Sequence, residues 1–207
     1  MKRNSLVLSV VFFLLAVFAW SGWANYEYRK QAAERQAAQG ASTSGAAGGA
    51  PQFAAQLIGK PAPEFTLEDL NGRKLPLASF KGKALAINFW ATWCGPCKIE
   101  TPWLIELRNQ YAAQGFEVVG ISMDDLDRDD AARLNSDKQE IARFVQKMQI
   151  PYPVLIDGDS ISKAYGGLDE LPTTFFVDRN GIIVAAQLGI TAKDEIEGNI
   201  RKALGAK

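Results

Sequence analysis

The chain has 207 residues and a mass of 22.6 kDa, enough for one globular domain and some additional segment. Its 23 basic side chains balance its 23 acidic ones. The net charge therefore does not favour a nucleic-acid partner, which would be bound mainly through cationic contacts. Histidine is absent, which excludes Ser-His-Asp catalysis, Cys-His catalysis and histidine-ligated metal sites. Two cysteines are too few for a disulfide scaffold or a four-thiolate zinc site.

Residues 1–24 are predicted to form a membrane anchor. Lys2 and Arg3 precede an uncharged apolar run, Leu6–Ala24, whose length as a helix would be roughly 28 Å, close to the hydrocarbon thickness of a bilayer. The basic side chains should stay in the cytoplasm, so the rest of the chain is expected outside it. The alternative is a cleaved signal peptide, because Gly22–Ala24 fits a small-x-small cleavage pattern. Both interpretations predict export.

Residues 25–52 are predicted to be a flexible linker. The segment Gly40–Pro51 is small, polar and rich in glycine, so it has little apolar surface to bury. The linker would hold a domain of residues 53–207 away from the lipid. We therefore expect a single-pass protein of the inner (cytoplasmic) membrane whose domain lies on the periplasmic or extracytoplasmic side.

The domain is predicted to begin with a β-hairpin that is followed by buried strands. Glu64–Leu70 and Lys74–Leu77 flank Asn71-Gly72, a turn sequence typical of hairpins. Ala84–Trp90 is an almost unbroken apolar run, which indicates a strand covered on both faces. Phe116–Ser122 is predicted to be the next strand.

Three helices are predicted from apolar residues that recur at helical spacing. The first runs from Pro96 to Ala113, the second opens at a capping box of Ser136 and Gln139, and Thr191 caps the third. The residues expected on the buried faces are, helix by helix, Ile99, Trp103, Leu107 and Tyr111; Ile141, Phe144, Val145 and Met148; and Ile196, Ile200 and Leu204.

Three further strands complete the predicted pattern. They are Val154–Ile156, Thr173–Val177 and Ile182–Gln187, and Asn180-Gly181 forms the turn between the last two. A strand–helix series that ends in a hairpin and a helix predicts one α/β domain. Its centre would be a mixed sheet with helices on both faces.

The chemistry is predicted in Trp93-Cys94-Gly95-Pro96-Cys97. Thiols at positions i and i+3 span one helical turn and can form a small disulfide ring. Cys94 falls where a buried strand ends and a helix begins, so the helix N–H groups and dipole would lower the pKa of its thiol. Cys94 is therefore predicted to attack a substrate disulfide, and Cys97 to resolve the mixed disulfide.

Two other uses of the cysteine pair are less favoured. A structural disulfide is common in exported proteins, but a ring this small removes little chain entropy from the unfolded state. A metal site lacks further soft ligands, because the chain has no other cysteine and no histidine. We therefore predict a redox-active disulfide, and neither a metal nor a cofactor.

These motifs resemble the thioredoxin superfamily. The similar features are Trp-Cys-Gly-Pro-Cys-Lys after a buried strand, Pro102 five residues beyond Cys97, and Leu171-Pro172-Thr173 ahead of a strand. The N-terminal anchor, the segment Pro61–Leu67 before the Asn-Gly hairpin and the insertion near residues 123–137 resemble the membrane-anchored TlpA/ResA-like branch.

The resemblance covers about residues 57–205. It implies a thioredoxin-like fold with an N-terminal β-hairpin and a thiol-disulfide oxidoreductase. In many members this enzyme reduces protein disulfides, often in cytochrome c maturation. The implied partners are a disulfide-containing client protein and a membrane dithiol that donates electrons, and a monomer is expected.

The resemblance also implies substrate-binding residues around the cysteines. Pro172 matches the family's cis-proline, which would face the Cys94 sulfur; an ordinary trans proline at a strand start is the alternative. Trp93 and Leu171 are predicted to form an apolar docking patch beside Cys94. The substrate-binding residues predicted in this way are Trp93, Pro96, Leu171, Pro172 and Thr173.

Glu100 and Asn88 are the positions where proton transfer is considered. Glu100 matches a glutamate that this branch places near the resolving cysteine, where it could take or return a proton. The alternative is an acid favoured by the helix dipole. Thioredoxins proper carry a buried aspartate at the position of Asn88, and an amide cannot exchange protons in its place.

Two rival functions remain at this point. A peroxiredoxin-type thiol peroxidase would need a threonine three residues before its reactive cysteine, where Ala91 stands. A non-catalytic exported domain would keep Cys94 and Cys97 permanently oxidised as a structural disulfide.

Overall fold

The computed structural model describes residues 52–205. The predicted anchor, residues 1–24, and residues 25–51 of the predicted linker lie outside this range. Gln52 begins a short helix, α1 (Gln52–Leu57). Between residues 52 and 205, no helix is long and apolar enough to cross a bilayer.

The predicted N-terminal hairpin is confirmed. Strands β1 (Thr66–Glu68) and β2 (Lys74–Pro76) pair antiparallel in a small sheet of their own. Both strands are shorter than predicted. The Asp69 carboxylate accepts hydrogen bonds from the Asn71 and Arg73 N–H groups at 2.8 and 2.9 Å, so the turn takes residues that were expected in the ladder. After β2 a 3-10 helix begins at Leu77.

A five-stranded mixed sheet forms the centre of the domain. Its strands are β3 (Ala84–Trp90), β4 (Phe116–Ser122), β5 (Val154–Leu155), β6 (Thr173–Val177) and β7 (Ile183–Leu188). Their order across the sheet is β5-β4-β3-β6-β7. Strands β3, β4 and β5 run parallel, whereas β6 pairs antiparallel with both β3 and β7. Every residue of β3 and β4 is buried, as the apolar run of β3 predicts for that strand.

Helices cover both faces of this sheet, but unequally. The long helices all contribute to one apolar cluster, through residues such as Leu107, Phe144 and Ile200. The opposite face packs against α1, the hairpin and the 3-10 helix that begins at Leu77. The helices that follow α1 are α2 (Gly95–Tyr111), α3 (Ala131–Met148), α4 (Asp159–Ser162) and α5 (Lys193–Leu204). The predicted mixed sheet with helices is confirmed.

Two predicted helix starts are wrong. Helix α3 begins at Ala131, where the Asp130 carboxylate accepts hydrogen bonds from the N–H groups of residues 132 and 133 at 2.8 and 3.2 Å. Ser136 therefore lies within this helix. The sequence did not reveal the earlier start, because the first helical turn is mostly exposed and carries no apolar pattern. Helix α5 begins at Lys193 without a side-chain cap, since the Thr191 hydroxyl accepts instead from the Gln187 amide.

The buried face of α2 also differs from the prediction. Leu107 and Tyr111 are buried as expected, but Trp103 is only half-buried and Ile99 is 56% exposed. The buried face instead includes the polar residues Glu100 and Thr101. An apolar periodicity cannot reveal polar side chains that a helix turns inward.

Candidate active site

Cys94 occupies the junction between β3 and α2. It is the N-cap residue of α2, and its Sγ accepts a hydrogen bond from the Cys97 N–H at 3.1 Å. The two cysteines are joined as a disulfide. The fold therefore puts this sulfur at the positive end of a seventeen-residue helix, where a negative charge is favoured.

Both cysteines are buried, but only Cys94 lies at a cleft. Cys94 lines a cleft of about 490 Å³, together with the predicted residues Trp93, Pro96 and Leu171. Cys97 is 1% exposed and does not belong to the cleft lining. A partner molecule in the cleft would therefore reach the sulfur of Cys94 first.

The cleft also contains residues that the sequence pattern missed. Asp159 at the start of α4 and Asp169 before β6 line it, and both are exposed carboxylates. Trp93 is 69% exposed beside them. The lining therefore combines apolar surface with negative charge. Neither aspartate belongs to a motif, so only the folded chain brings them to Cys94.

The segment before β6 contains the predicted cis-proline. The Leu171–Pro172 peptide bond is cis, which confirms this prediction. Pro172 and Thr173 are both buried, and the Thr173 hydroxyl donates to the Glu170 carbonyl oxygen at 2.6 Å. Leu171 reaches the cleft lining, whereas Pro172 and Thr173 do not. Substrate binding by these three residues stays a prediction.

Glu100 is buried on the inner side of α2. It is 2% exposed, and its Oε2 accepts a hydrogen bond from the Asn88 amide at 2.9 Å. No cation pairs with this carboxylate within residues 52–205. Burial raises the pKa of Glu100 to about 7, while the hydrogen bond from Asn88 acts in the opposite direction.

The Asn88 amide links three elements of the site. Its Nδ2 donates to Glu100 on α2 and to the Thr174 hydroxyl on β6, the latter at 2.8 Å. Asn88 and Thr174 are register partners of the neighbouring strands β3 and β6. The residue that departs from the thioredoxin pattern thus contacts the candidate proton carrier directly.

Tyr152 is a buried aromatic residue that interacts electrostatically with Glu100. Burial raises the pKa of its phenol, and the nearby Glu100 carboxyl raises it further. Tyr152 belongs to the same apolar cluster as Cys97. The buried environment that Glu100 and Tyr152 share therefore disfavours negative charge, which raises the pKa of both side chains.

A profile of the AhpC/TSA family matches residues 58–186, more than half of the chain. The chain belongs to the AhpC/TSA family. The matched segment contains both cysteines, Glu100 and the cis-proline, so the described site lies within the part that the family shares.

This AhpC/TSA chain is similar to curated proteins named thiol-disulfide oxidoreductase ResA. The protein of Bacillus thuringiensis subsp. konkukian is 38% identical over 146 residues, covering 70% of this chain and 78% of that protein. The protein of Bacillus subtilis is 32% identical over 139 residues, covering 67% and 71% respectively. The identity extends well beyond the cysteine motif.

The fold agrees with solved structures of the same class. A crystal structure of a thiol:disulfide interchange protein of the thioredoxin family from Chlorobium tepidum aligns with a TM-score of 0.60 and 29% identity, covering 70% of this chain and 96% of that one. This AhpC/TSA chain is a ResA-like member of the thioredoxin superfamily, and it is a thiol-disulfide oxidoreductase.

Proposed function

We propose that the enzyme reduces disulfides of client proteins by thiol–disulfide exchange, with Cys94 as the attacking residue and Cys97 as the resolving residue. The observation that carries this assignment is the different position of the two sulfurs. Both cysteines are buried, but Cys94 lines the cleft at the start of α2, whereas Cys97 does not belong to the lining. A client disulfide therefore meets one sulfur and leaves the other to act second.

The exchange begins with the reduced enzyme. The Cys94 thiolate attacks one sulfur of the client disulfide, a mixed disulfide forms, and the other client sulfur leaves as a thiolate. The Cys97 thiolate then attacks Cys94 Sγ, and the second client sulfur is released. The client gains two electrons, and the enzyme is left with the Cys94–Cys97 disulfide.

Glu100 fits the role of proton acceptor for Cys97 in the second step. The two residues lie three positions apart on α2, and both are buried. Cys97 must lose a proton before it can attack, and a carboxyl group whose pKa is about 7 can exchange protons at neutral pH. Asn88 would hold the carboxyl in place through the 2.9 Å hydrogen bond.

The cleft lining indicates the kind of client segment that fits. Trp93 and Leu171 offer apolar surface, and Asp159 and Asp169 add negative charge. A segment that carries apolar and cationic side chains beside its disulfide would complement both properties. By resemblance to the TlpA/ResA-like branch, we further propose apocytochrome c as one such client, which would give the enzyme a role in cytochrome c maturation.

Export and membrane attachment complete the proposed function. The apolar run Leu6–Ala24 behind two basic residues supports a single-pass anchor, and Gly40–Pro51 supports a flexible tether. A domain outside the cytoplasm has no cytosolic reductant, so a membrane protein with a dithiol would reduce the Cys94–Cys97 disulfide after each turnover.

Cysteine variants of the full chain test the assignment. With dithiothreitol as reductant, Cys94→Ser should abolish the reduction of insulin disulfides, because the attacking sulfur is lost. In prereduced protein from which dithiothreitol has been removed, Cys97→Ser should accumulate a mixed disulfide with the client, visible on non-reducing gels. The double variant, which can form no mixed disulfide, is the control.

The order of the two thiols can be measured separately. In the reduced protein, an alkylating reagent should modify Cys94 much faster than Cys97, as peptide mass spectrometry would show. Equal rates for the two thiols, or a mixed disulfide that accumulates in Cys94→Ser rather than in Cys97→Ser, would contradict the proposed division of roles.

A further inference from the structure

The loop that carries the attacking cysteine is held by a carboxylate from a neighbouring strand. Residues 91–94 connect β3 to α2, and Thr92 lies in the middle of this loop. The Thr92 N–H donates to both carboxylate oxygens of Asp124, at 3.0 and 3.1 Å, and the Thr92 hydroxyl also donates to Oδ1. Two donors of one loop residue thus converge on a single carboxylate.

Asp124 is itself anchored to the sheet. The hydroxyl of Ser122, the last residue of β4, donates to Asp124 Oδ2 at 2.8 Å and accepts from the Asp124 N–H at 3.1 Å. Ser122 is fully buried and faces Trp90, the last residue of β3, in the parallel register. The Met123 N–H donates to the Trp90 carbonyl oxygen at 2.7 Å. The carboxylate therefore extends from a rigid part of the fold.

The loop needs such support because of what it carries. The Cys94 N–H donates to the Ala91 carbonyl oxygen at 3.2 Å, which closes a tight turn around Thr92 and Trp93. Trp93 is 69% exposed, so the turn, rather than packing, fixes the position of its backbone. A change in the turn would move the docking surface and the attacking sulfur together.

We propose that Asp124 is a positioning residue for the exchange reaction: it holds the turn around Thr92 so that Trp93 and Cys94 present one fixed surface to a protein client. The inference rests on the proposed attack by Cys94. It adds a residue outside the cleft lining, 32 positions away from Thr92 in sequence, whose effect reaches the client only through the loop.

A positioning role predicts that protein and small-molecule substrates respond differently. A protein disulfide must fit the surface formed by Trp93 and Cys94, whereas a small aromatic disulfide needs only access to the sulfur. In the reduced full chain, Asp124→Ala should lower the second-order rate with insulin roughly tenfold, because misplaced reacting groups lose rate steeply. The rate with the small disulfide should change less than about twofold.

Matched variants separate this effect from charge and from stability. Asp125→Ala removes a neighbouring exposed carboxylate that makes no side-chain hydrogen bond in the described part of the chain, and it should leave both rates unchanged. Asp124→Asn keeps one oxygen acceptor for Thr92 and should restore most of the insulin rate. Should Asp124→Ala fail to fold, Thr92→Val, which removes the hydroxyl donor, must still lower the insulin rate selectively.

Two results would overturn the inference. The ratio of the two rates could stay as in the wild type, whether both fall together or neither falls, which would make Asp124 a stabilising residue only. Alternatively, Asp124→Ala and Thr92→Val could lower the insulin rate additively, which would show that the two residues act independently. A wild-type chain that does not reduce insulin would instead contradict the proposed function itself.

Discussion

Glu100 and Glu117 are both buried carboxylates, and their surroundings differ in one respect. Glu117, in β4, is 7% exposed and accepts hydrogen bonds from the Arg108 guanidinium at 2.8 and 3.2 Å, with the Lys83 ammonium 3.9 Å away. Glu100 is 2% exposed and accepts from the neutral Asn88 amide. One carboxylate is paired with cations, and the other is not.

The comparison shows how burial leads to two different outcomes. A buried charge that is paired and hydrogen-bonded can stay ionised and act as a structural contact. A buried carboxyl that meets only a neutral donor is easier to protonate, and the pKa of Glu100 is accordingly about 7. The neutral amide of Asn88 thus leaves this group able to change its charge near neutral pH, in the region of the redox disulfide.

The largest expected effect comes from replacing the neutral partner by an acid. Asn88→Asp would bring a second carboxyl beside Glu100 and remove the amide donor that Thr174 also uses. At pH 8 two buried carboxylates would face each other without a cation, which should cost roughly 3–5 kcal/mol of stability. At pH 5 a shared proton should restore much of it. Urea unfolding at both values checks this, with Asn88→Ala as the control for the lost hydrogen bonds.

Replacing Glu100 itself should remove a pH dependence. Between the ordinary pKa of 4.5 and the folded value of about 7, the folded protein keeps a proton that the unfolded chain has lost. The free energy of unfolding therefore falls as the pH rises through this range, by about 3 kcal/mol in total. In Glu100→Gln this slope should vanish.

The same variant tests the proposed chemistry. Glu100→Gln should also shift the pH profile of thiol reactivity in the reduced protein, measured by stopped-flow alkylation, because the proton acceptor for Cys97 is lost. An unchanged profile together with the flattened stability curve would limit Glu100 to a structural role at the helix start.

The smallest of these effects concerns the cation-paired carboxylate. Arg108→Ala removes the main partner of Glu117 and should lower the free energy of unfolding by about 2 kcal/mol, the range for hydrogen bonds to charged groups. Lys83→Ala is the matched control, since Lys83 is more exposed and farther from the carboxylate, and it should cost less. Equal costs for the two variants would mean that the short Arg108 contact is not what stabilises Glu117.

The strands and the cysteine motif could be predicted from sequence because their signals are local. Ala84–Trp90 and Phe116–Ser122 match the observed strands, since both segments are mostly apolar and the fold buries every residue in them. The position of Cys94 at a helix start followed from the strand before it and from Pro96. The cis bond before Pro172 followed from the family resemblance.

The contacts that organise the site could not be predicted, because they join distant positions. Asp124 meets Thr92 only through the parallel pairing of β3 with β4, and Asn88 meets Glu100 only after α2 packs on the sheet. The start of α3 could not be predicted either, and here the reason is local. Asp130 and Ser136 are both good caps, and the mostly exposed turn between them carries no pattern to choose the first.

Because the Cys94 sulfur caps α2, the hydrogen bonding at the beginning of this helix depends on whether the cysteine pair is oxidised or reduced. In the oxidised protein the Cys97 N–H donates to Cys94 Sγ, and a disulfide sulfur is a weak acceptor. After two electrons enter, the same N–H faces a thiolate, and a charge-assisted hydrogen bond is roughly twice as strong. Gain of two electrons thus strengthens this hydrogen bond while it breaks the covalent bond between the two sulfurs, so a polar contact replaces a crosslink at the first turn of the helix.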